Sequence, residues 1–131
     1  MDLSSIKASA SSVEILHPAT AEPIGLTIGL RPSTHPAVKE VQRRFTNDTL
    51  NARHKKITAE KLEANNLDRL VAATDSFAWG NGPDGKPTTW NGEALEANAA
   101  NVRKVYTQAP WIKQQVDEAL GDEARFFRDA D

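Results

Sequence analysis

The sequence predicts an α+β domain: an N-terminal β-hairpin, joined by a third short strand near Trp90, packed on four to five α-helices. Three observations predict it. Apolar residues alternate strictly over residues 24–31, they recur at helical spacing in several later segments, and capping or turn residues stand at the boundaries between these runs.

Residues 1–11 are small and polar and read as a flexible N-terminal tail, leaving 12–131 as a single domain. Val13-Glu14-Ile15-Leu16-His17 alternates imperfectly, and the stretch from Pro18 to Pro23 reads as a turn. Ile24, Leu26, Ile28 and Leu30 then fall on one face, as period two requires of a half-buried strand. Gly25 and Gly29 on the other face either weaken that strand or let another backbone approach closely.

Pro36 suits the first position of a helix, where its missing N–H costs nothing. That helix is expected over 36–54, with Val38, Val41 and Phe45 as a narrow apolar stripe. So narrow a stripe predicts a helix lying on the surface or projecting from the body. Thr58 is the expected N-cap of the next helix. Leu62, Leu67, Leu70, Val71 and Phe77 form its expected buried face, and Gly80 is expected to stop it near Trp79. The run from Gly80 to Pro87 reads as a loop, and Thr88-Thr89-Trp90 as a short strand turned at Asn91-Gly92. Asn98 or Asn101 caps a helix to about Gln108, with Val102, Val105 and Tyr106 inward. Pro110 opens another, with Ile112, Val116, Ala119 and Leu120 in one stripe. Burying each large apolar side chain there contributes about 1.5–3 kcal/mol. Gly121 ends it, and Asp122 starts a last turn holding Phe126 and Phe127.

Composition narrows the function classes. The chain has 131 residues, 39% hydrophobic and 26% charged, with only 6% aromatic. That suits one modest core under a charged surface, completed by self-association or a partner. A formal net charge of −2 gives no bulk case for nucleic-acid binding. The absence of cysteine removes disulfides, thiolate metal sites and cysteine nucleophiles, and suits a reducing cytosol. The first residues lack the apolar run of a signal peptide, and no window reaches 18 apolar residues. A soluble intracellular protein is expected.

No residue pattern points to catalysis, a cofactor or a metal. Gly80-Asn81-Gly82-Pro83-Asp84-Gly85 matches G-x-G-x-x-G literally. A dinucleotide site needs a strand before that motif and a helix after it; here a helix is expected before it and Pro83 stands inside. His17, His35 and His54 each lack a partner at ligand spacing and read as surface or turn residues. The serines cluster in the tail, outside any nucleophile elbow. Asp117-Glu118 and Asp122-Glu123 are adjacent pairs, which do not face each other on a helix.

One segment has pull. Residues 35–56 carry six basic side chains (Lys39, Arg43, Arg44, Arg53, Lys55 and Lys56) against two acidic ones, a local net of +4. Such a face is either merely solvated or meets an acidic protein surface; nucleic acid ranks last, because no aromatic residues are interleaved for stacking. Residues 110–131 carry three basic and six acidic side chains, a net of −3, so contacts between copies are expected. Trp79 and Trp111 read as core, whereas Trp90, beside a flexible turn, reads equally as core or as an interface anchor. Arg43, Arg44, Arg53, Lys55, Lys56 and Trp90 are therefore the candidate partner-binding residues.

The order of several short blocks adds a resemblance. These are the run from Val13 to Leu26, Val41-Gln42-Arg43-Arg44, the run from Thr58 to Glu63, Trp79-Gly80, and Trp90-Asn91-Gly92. Asn101-Val102-Arg103-Lys104-Val105-Tyr106, Pro110-Trp111-Ile112, Gln115-Val116-Asp117-Glu118-Ala119, Gly121-Asp122-Glu123-Ala124 and Phe126-Phe127 follow. Across roughly residues 12–128 the arrangement resembles the small tail assembly chaperones of long-tailed bacteriophages and prophages. The resemblance implies a non-enzymatic protein without cofactor, acting in the host cytoplasm and absent from the mature virion. Its implied partners are the tape-measure protein, the tail-tube protein and further copies of itself. Many such proteins are made in two lengths by ribosomal frameshifting, and this chain fits the short form. The family has no catalytic residues to carry over. The alternatives are a small structural virion protein, such as a tail-completion or head–tail joining component, and a nucleic-acid-associated protein using residues 35–56.

Overall fold

The structure is a computed structural model that describes residues 2–51 and 58–128, the side chain of Arg128 excepted. It is α+β: a three-stranded antiparallel sheet in the order β1-β2-β3, with helices packed on one face. β1 (Ser11–Leu16) and β2 (Pro23–Leu30) form the expected hairpin, with Val13 opposite Ile28 and an irregularity between Glu14 and Leu16. In its turn, His17 Nδ1 accepts from the N–H groups of Ala19 at 3.1 Å and Thr20 at 3.3 Å, so this histidine organises local backbone. The alternation holds: Leu26, Ile28 and Leu30 are buried and Ile24 half-buried.

Helix α1 (Pro36–Asn51) starts as expected; Arg53, Lys55 and Lys56 of the basic segment lie outside the described residues, as does the expected end of the helix at 54. Thr58 caps α2 (Ala59–Ala73), accepting from Lys61 N–H at 3.2 Å. The helix expected to reach Trp79 instead ends at Ala73. Residues Thr74–Trp79 form β3, antiparallel to β2, with Phe77 opposite Ile28 and Trp79 opposite Leu26. This is where the third strand of the sheet lies. Near Trp90 there is only an isolated bridge to Glu93, closed over Asn91 (φ 50°) and Gly92 (φ 83°) as the Asn-Gly pair predicts.

Side-chain chemistry explains the break. Thr74 Oγ1 bonds back to the Leu70 carbonyl at 2.8 Å, and Asp75 and Ser76 follow, residues that compete with helical backbone bonding. Because Thr74 gives its one proton to Leu70, its oxygen receives the O–H of buried Tyr106, 2.5 Å away. Arg31 clamps the same junction. Its N–H donates to the Ala73 carbonyl at 2.7 Å, and its guanidinium donates to the Ala72 carbonyl at 3.0 Å and to Asp75 Oδ1 at 3.3 Å.

After the 80–98 connection come α3 (Ala99–Gln108), capped by Asn98, α4 (Pro110–Gly121) and the single turn α5 (Arg125–Arg128). Val102, Val105 and Tyr106 of α3 meet Ile112, Val116 and Ala119 of α4, and both helices cover Ile15, Leu26, Ile28 and Leu30 of the sheet. Phe126 is buried in the same core, and Ser9 N–H donates to its carbonyl at 2.8 Å. Gln115 closes part of the β1 edge, its amide exchanging two 2.8 Å bonds with the backbone of Leu16, while Arg125 donates to the Ser12 carbonyl at 2.9 Å. Gly25 (φ 93°) answers the question the sequence posed. A Cβ there would lie 2.6 Å from the Asn81 carbonyl oxygen, so it is close backbone approach that requires glycine.

Two outcomes test this account. Burial pushes the Tyr106 hydroxyl up to about 12, the hydrogen bond with Thr74 opposing that shift only in part. The unfolded chain, with its tyrosine near 10, loses the proton first. This contribution to stability is therefore complete below about pH 10 and is lost as pH rises through about 12. Tyr106→Phe is expected to cost about 0.5–1.5 kcal/mol at neutral pH and to flatten the alkaline loss, read as urea midpoints at neutral and alkaline pH. Gly25→Ala is expected to destabilise by more than about 1 kcal/mol, measured by thermal melting, because its φ and its neighbours both reject a Cβ.

Candidate partner-binding surface

The exposed surface with the most distinctive chemistry belongs to α1 and α2, which pack on one another as an arm. His35 prepares the start of α1: its Nδ1 accepts from Ala37 N–H at 3.1 Å and its carbonyl from Val38 and Lys39, each at 3.0 Å. Burial then fades along the arm. In α1, Val38 and Val41 are buried, Phe45 is half-buried and Leu50 is 61% exposed. In α2, residues 59–64 are exposed, Leu67 is half-buried, and Leu70 and Ala73 are buried. The helices thus run antiparallel, joined to the body at the N-terminal half of α1 and the C-terminal half of α2. Leu62, expected inward from its spacing, is 50% exposed because the body does not extend beneath it.

Two ion pairs hold the base of α2 to the body. Arg69 reaches Asp117 on α4 at 3.0 Å and Asn66 at 2.8 Å, and Arg103 on α3 reaches Asp68 at 2.6 Å. The pairs are partly exposed, and their value lies more in fixing orientation than in stability.

Of the candidate residues, Arg43 and Arg44 stand exposed on α1. Arg43 grips Glu40 with both a 3.0 Å and a 2.6 Å bond. That hydrogen bonding holds the Glu40 carboxyl below its ordinary range and raises the Arg43 guanidinium above its own. Arg44 lies only loosely against the same carboxylate, at 4.0 Å with its side chain 65% exposed. The positive face is therefore partly compensated at Arg43 and less so at Arg44. Arg53, Lys55, Lys56 and His54 lie outside the described residues.

Trp90 is placed in the connection between β3 and α3, not in the arm. It is half-buried against the core, and its indole Nε1 is buried without a partner among the described groups. Trp79 and Trp111 pack partly against the same core, Trp79 donating from Nε1 to the Leu95 carbonyl at 2.9 Å. The G-x-G-x-x-G run folds back on the hairpin: Gly80 N–H donates to the Gly25 carbonyl at 2.6 Å, and Thr88 Oγ1 donates to the Ile24 carbonyl. It follows a strand and leads to no helix until Ala99, so it lacks the helix N-terminus that a pyrophosphate requires.

A groove of about 510 Å³ opens where α1, α2 and the start of α3 meet. Arg31, Arg44 and Arg103 rim it, over a floor that includes Val41, Val71 and Val102. A neighbouring pocket of about 370 Å³ shares Arg31 and is lined by Val38, Leu120, Phe126, Phe127 and Glu123. The pocket is lined mainly by apolar atoms, whereas polar atoms predominate in the groove, where Asp68 and Asn98 also stand. Among the described residues no group of three or more His, Asp or Glu is placed to hold a metal, and no helix is long and apolar enough to cross a membrane. Sequence reasoning missed Leu50, Arg31, Arg103 and the exposed Phe127 as surface elements. Only Leu50, which falls off the stripe of Val38, Val41 and Phe45, left a legible signal.

Comparison with protein-family models, with curated proteins and with solved structures finds no match for this chain.

The arm's exposed leucines are separable from the fold. Leu50→Ser with Leu62→Ser is expected to stay within about 0.5 kcal/mol of the parent in urea unfolding, whereas Leu70→Ala is expected to lose about 2–5 kcal/mol.

Proposed function

We propose that this chain is a tail assembly chaperone of a long-tailed bacteriophage or prophage. In this role it binds the tape-measure protein, keeps that long helical chain soluble in the host cytoplasm, and helps tail-tube subunits gather around it. The ordered sequence blocks over residues 12–128 motivate the reading. The observation that carries it physically is the two-helix arm with uncovered Leu50 and Leu62 beside exposed Arg43 and Arg44.

A chaperone for a long helix has to cover an apolar stripe at many places and let go of each. Two leucines on an arm supply a shallow apolar contact, and arginines beside them can meet carboxylates flanking the client's stripe. Each leucine contributes at most about 1.5–3 kcal/mol on burial, so a single contact is weak and reversible. Many copies along one client hold it through summed contacts. Tube subunits can then displace the copies without breaking any one strong interface.

Co-expression with the tape-measure protein encoded beside it tests the proposal. The expected result is a soluble client that co-purifies with this chain. The Leu50→Ser, Leu62→Ser double variant, still folded, is expected to leave the client insoluble. A client that stays insoluble with the folded parent chain, or purified tails containing this chain stoichiometrically, would overturn the reading.

A further inference from the structure

We infer that the N-terminal segment, residues 2–7, is a strap that closes over the pocket between α1, α4 and α5, with Ile6 against its apolar floor, so that the pocket opens to another apolar group only when the strap lets go. This rests on the folded chain itself and not on the chaperone reading.

The strap is fastened at one end. Ser9 N–H donates to the Phe126 carbonyl at 2.8 Å, and the neighbouring Ala8 lines the pocket. Among the described residues, the hydrogen bonds of residues 2–6 stay within the segment. Asp2 accepts from Ser4 N–H at 3.0 Å and from Ser4 Oγ at 2.8 Å, and Ile6 N–H donates to the Leu3 carbonyl at 3.2 Å, closing a single 3-10 turn. That turn leaves Leu3 76% and Ile6 52% exposed. Burying one aliphatic side chain gains about as much as ordering a short stretch of backbone costs, so a strap of this kind closes and opens reversibly.

Register selects Ile6 over Leu3. The backbone at Ile6 is already extended (φ −87°, ψ 101°), and side chains two apart on an extended chain point to one face. Ile6 stands two positions before Ala8, so a straight run of chain turns it with Ala8 toward the pocket. The pocket, of about 370 Å³, has room for that side chain among Val38, Leu120 and Phe126, and Phe127, which also lines it, is 46% exposed and open to cover. Charge fits as well. The segment brings Asp2 and Lys7, and the pocket carries Arg31 and Arg69 alongside Glu123.

Because the chain has no cysteine, one engineered pair reads the contact directly. Gln42 is exposed and lines the pocket, whereas Ala94 is exposed in the 80–98 connection and does not. Under mild oxidation of the full chain, Ile6→Cys with Gln42→Cys is expected to form an intramolecular disulfide at least about tenfold faster than Ile6→Cys with Ala94→Cys. Anilinonaphthalene sulfonate, an aromatic anion, then probes the pocket. The oxidised Ile6→Cys, Gln42→Cys protein is expected to bind the dye at least about tenfold more weakly than the same protein after reduction. Leu3→Ser with Ile6→Ser is expected to bind it more tightly than the parent. The sign is decisive, since removing two aliphatic side chains that merely face water lowers dye binding. Circular dichroism establishes that each variant is folded, and Ile6→Asn alone serves if the double serine variant is not. Equal disulfide rates for the two pairs, dye binding indifferent to the disulfide, or weaker dye binding by the serine variant would each overturn the inference.

Discussion

The proton held between Tyr106 and Thr74 is the interaction from which the architecture follows. Thr74 Oγ1 donates to the Leu70 carbonyl and accepts from Tyr106, so the last turn of α2, the first residue of β3 and the last turn of α3 meet at one buried point. Were the helix to continue through residues 74–79, the sheet would lose its third strand. Phe77 and Trp79 would also leave the core face, where they now pack edge to face with centroids 5.9 Å apart. Arg31 makes the same junction part of the hairpin by bonding to the carbonyls of Ala72 and Ala73. Three separate stretches of chain are thus tied together where α2 becomes β3, and the core shields the two Thr74 bonds from water.

A rigid body and a thin arm result. Residues 59–64 of α2 are exposed, and past Val41 only Phe45 and Thr49 among the described residues of α1 are partly covered. Such a two-helix projection buries little apolar area per residue and therefore opens at low local cost. Under the proposed chaperone role, that property suits a surface that would grip a long partner and let go. The body carries the opposite character, with Gln115 and Arg125 closing the β1 edge and Phe126 folded into the core.

Much of this was legible in the residues, for reasons that also explain the rest. The period-two run of Ile24, Leu26, Ile28 and Leu30 admits only a strand, and Pro36, Thr58, Asn98 and Pro110 each mark a helix start by a local mechanism. The α2–β3 break was not legible. Leu70 and Phe77 stand seven apart, so helical spacing fits them as well as the alternation of Phe77 and Trp79 does. The decisive partner, Tyr106, lies 32 residues from Thr74. Leu62 was misplaced for a related reason, since periodicity says which face a residue occupies and not whether a body lies opposite. The basic character of α1 was readable, but its pairing with Glu40, which compensates Arg43 and leaves Arg44 more available, depends on side-chain geometry.

The central proposal is that a pliant arm would do the binding, while a core organised at Thr74 and Tyr106 does the folding. Native-state hydrogen exchange, with and without the tape-measure protein, tests it most directly. Amides of residues 45–51 and 59–66 in the free chain are expected to exchange by local opening, on the order of 100-fold faster than those of 102–106, and to become protected when the client is present. Equal protection of arm and core in the free chain, or client-induced protection that avoids the arm, would contradict the account.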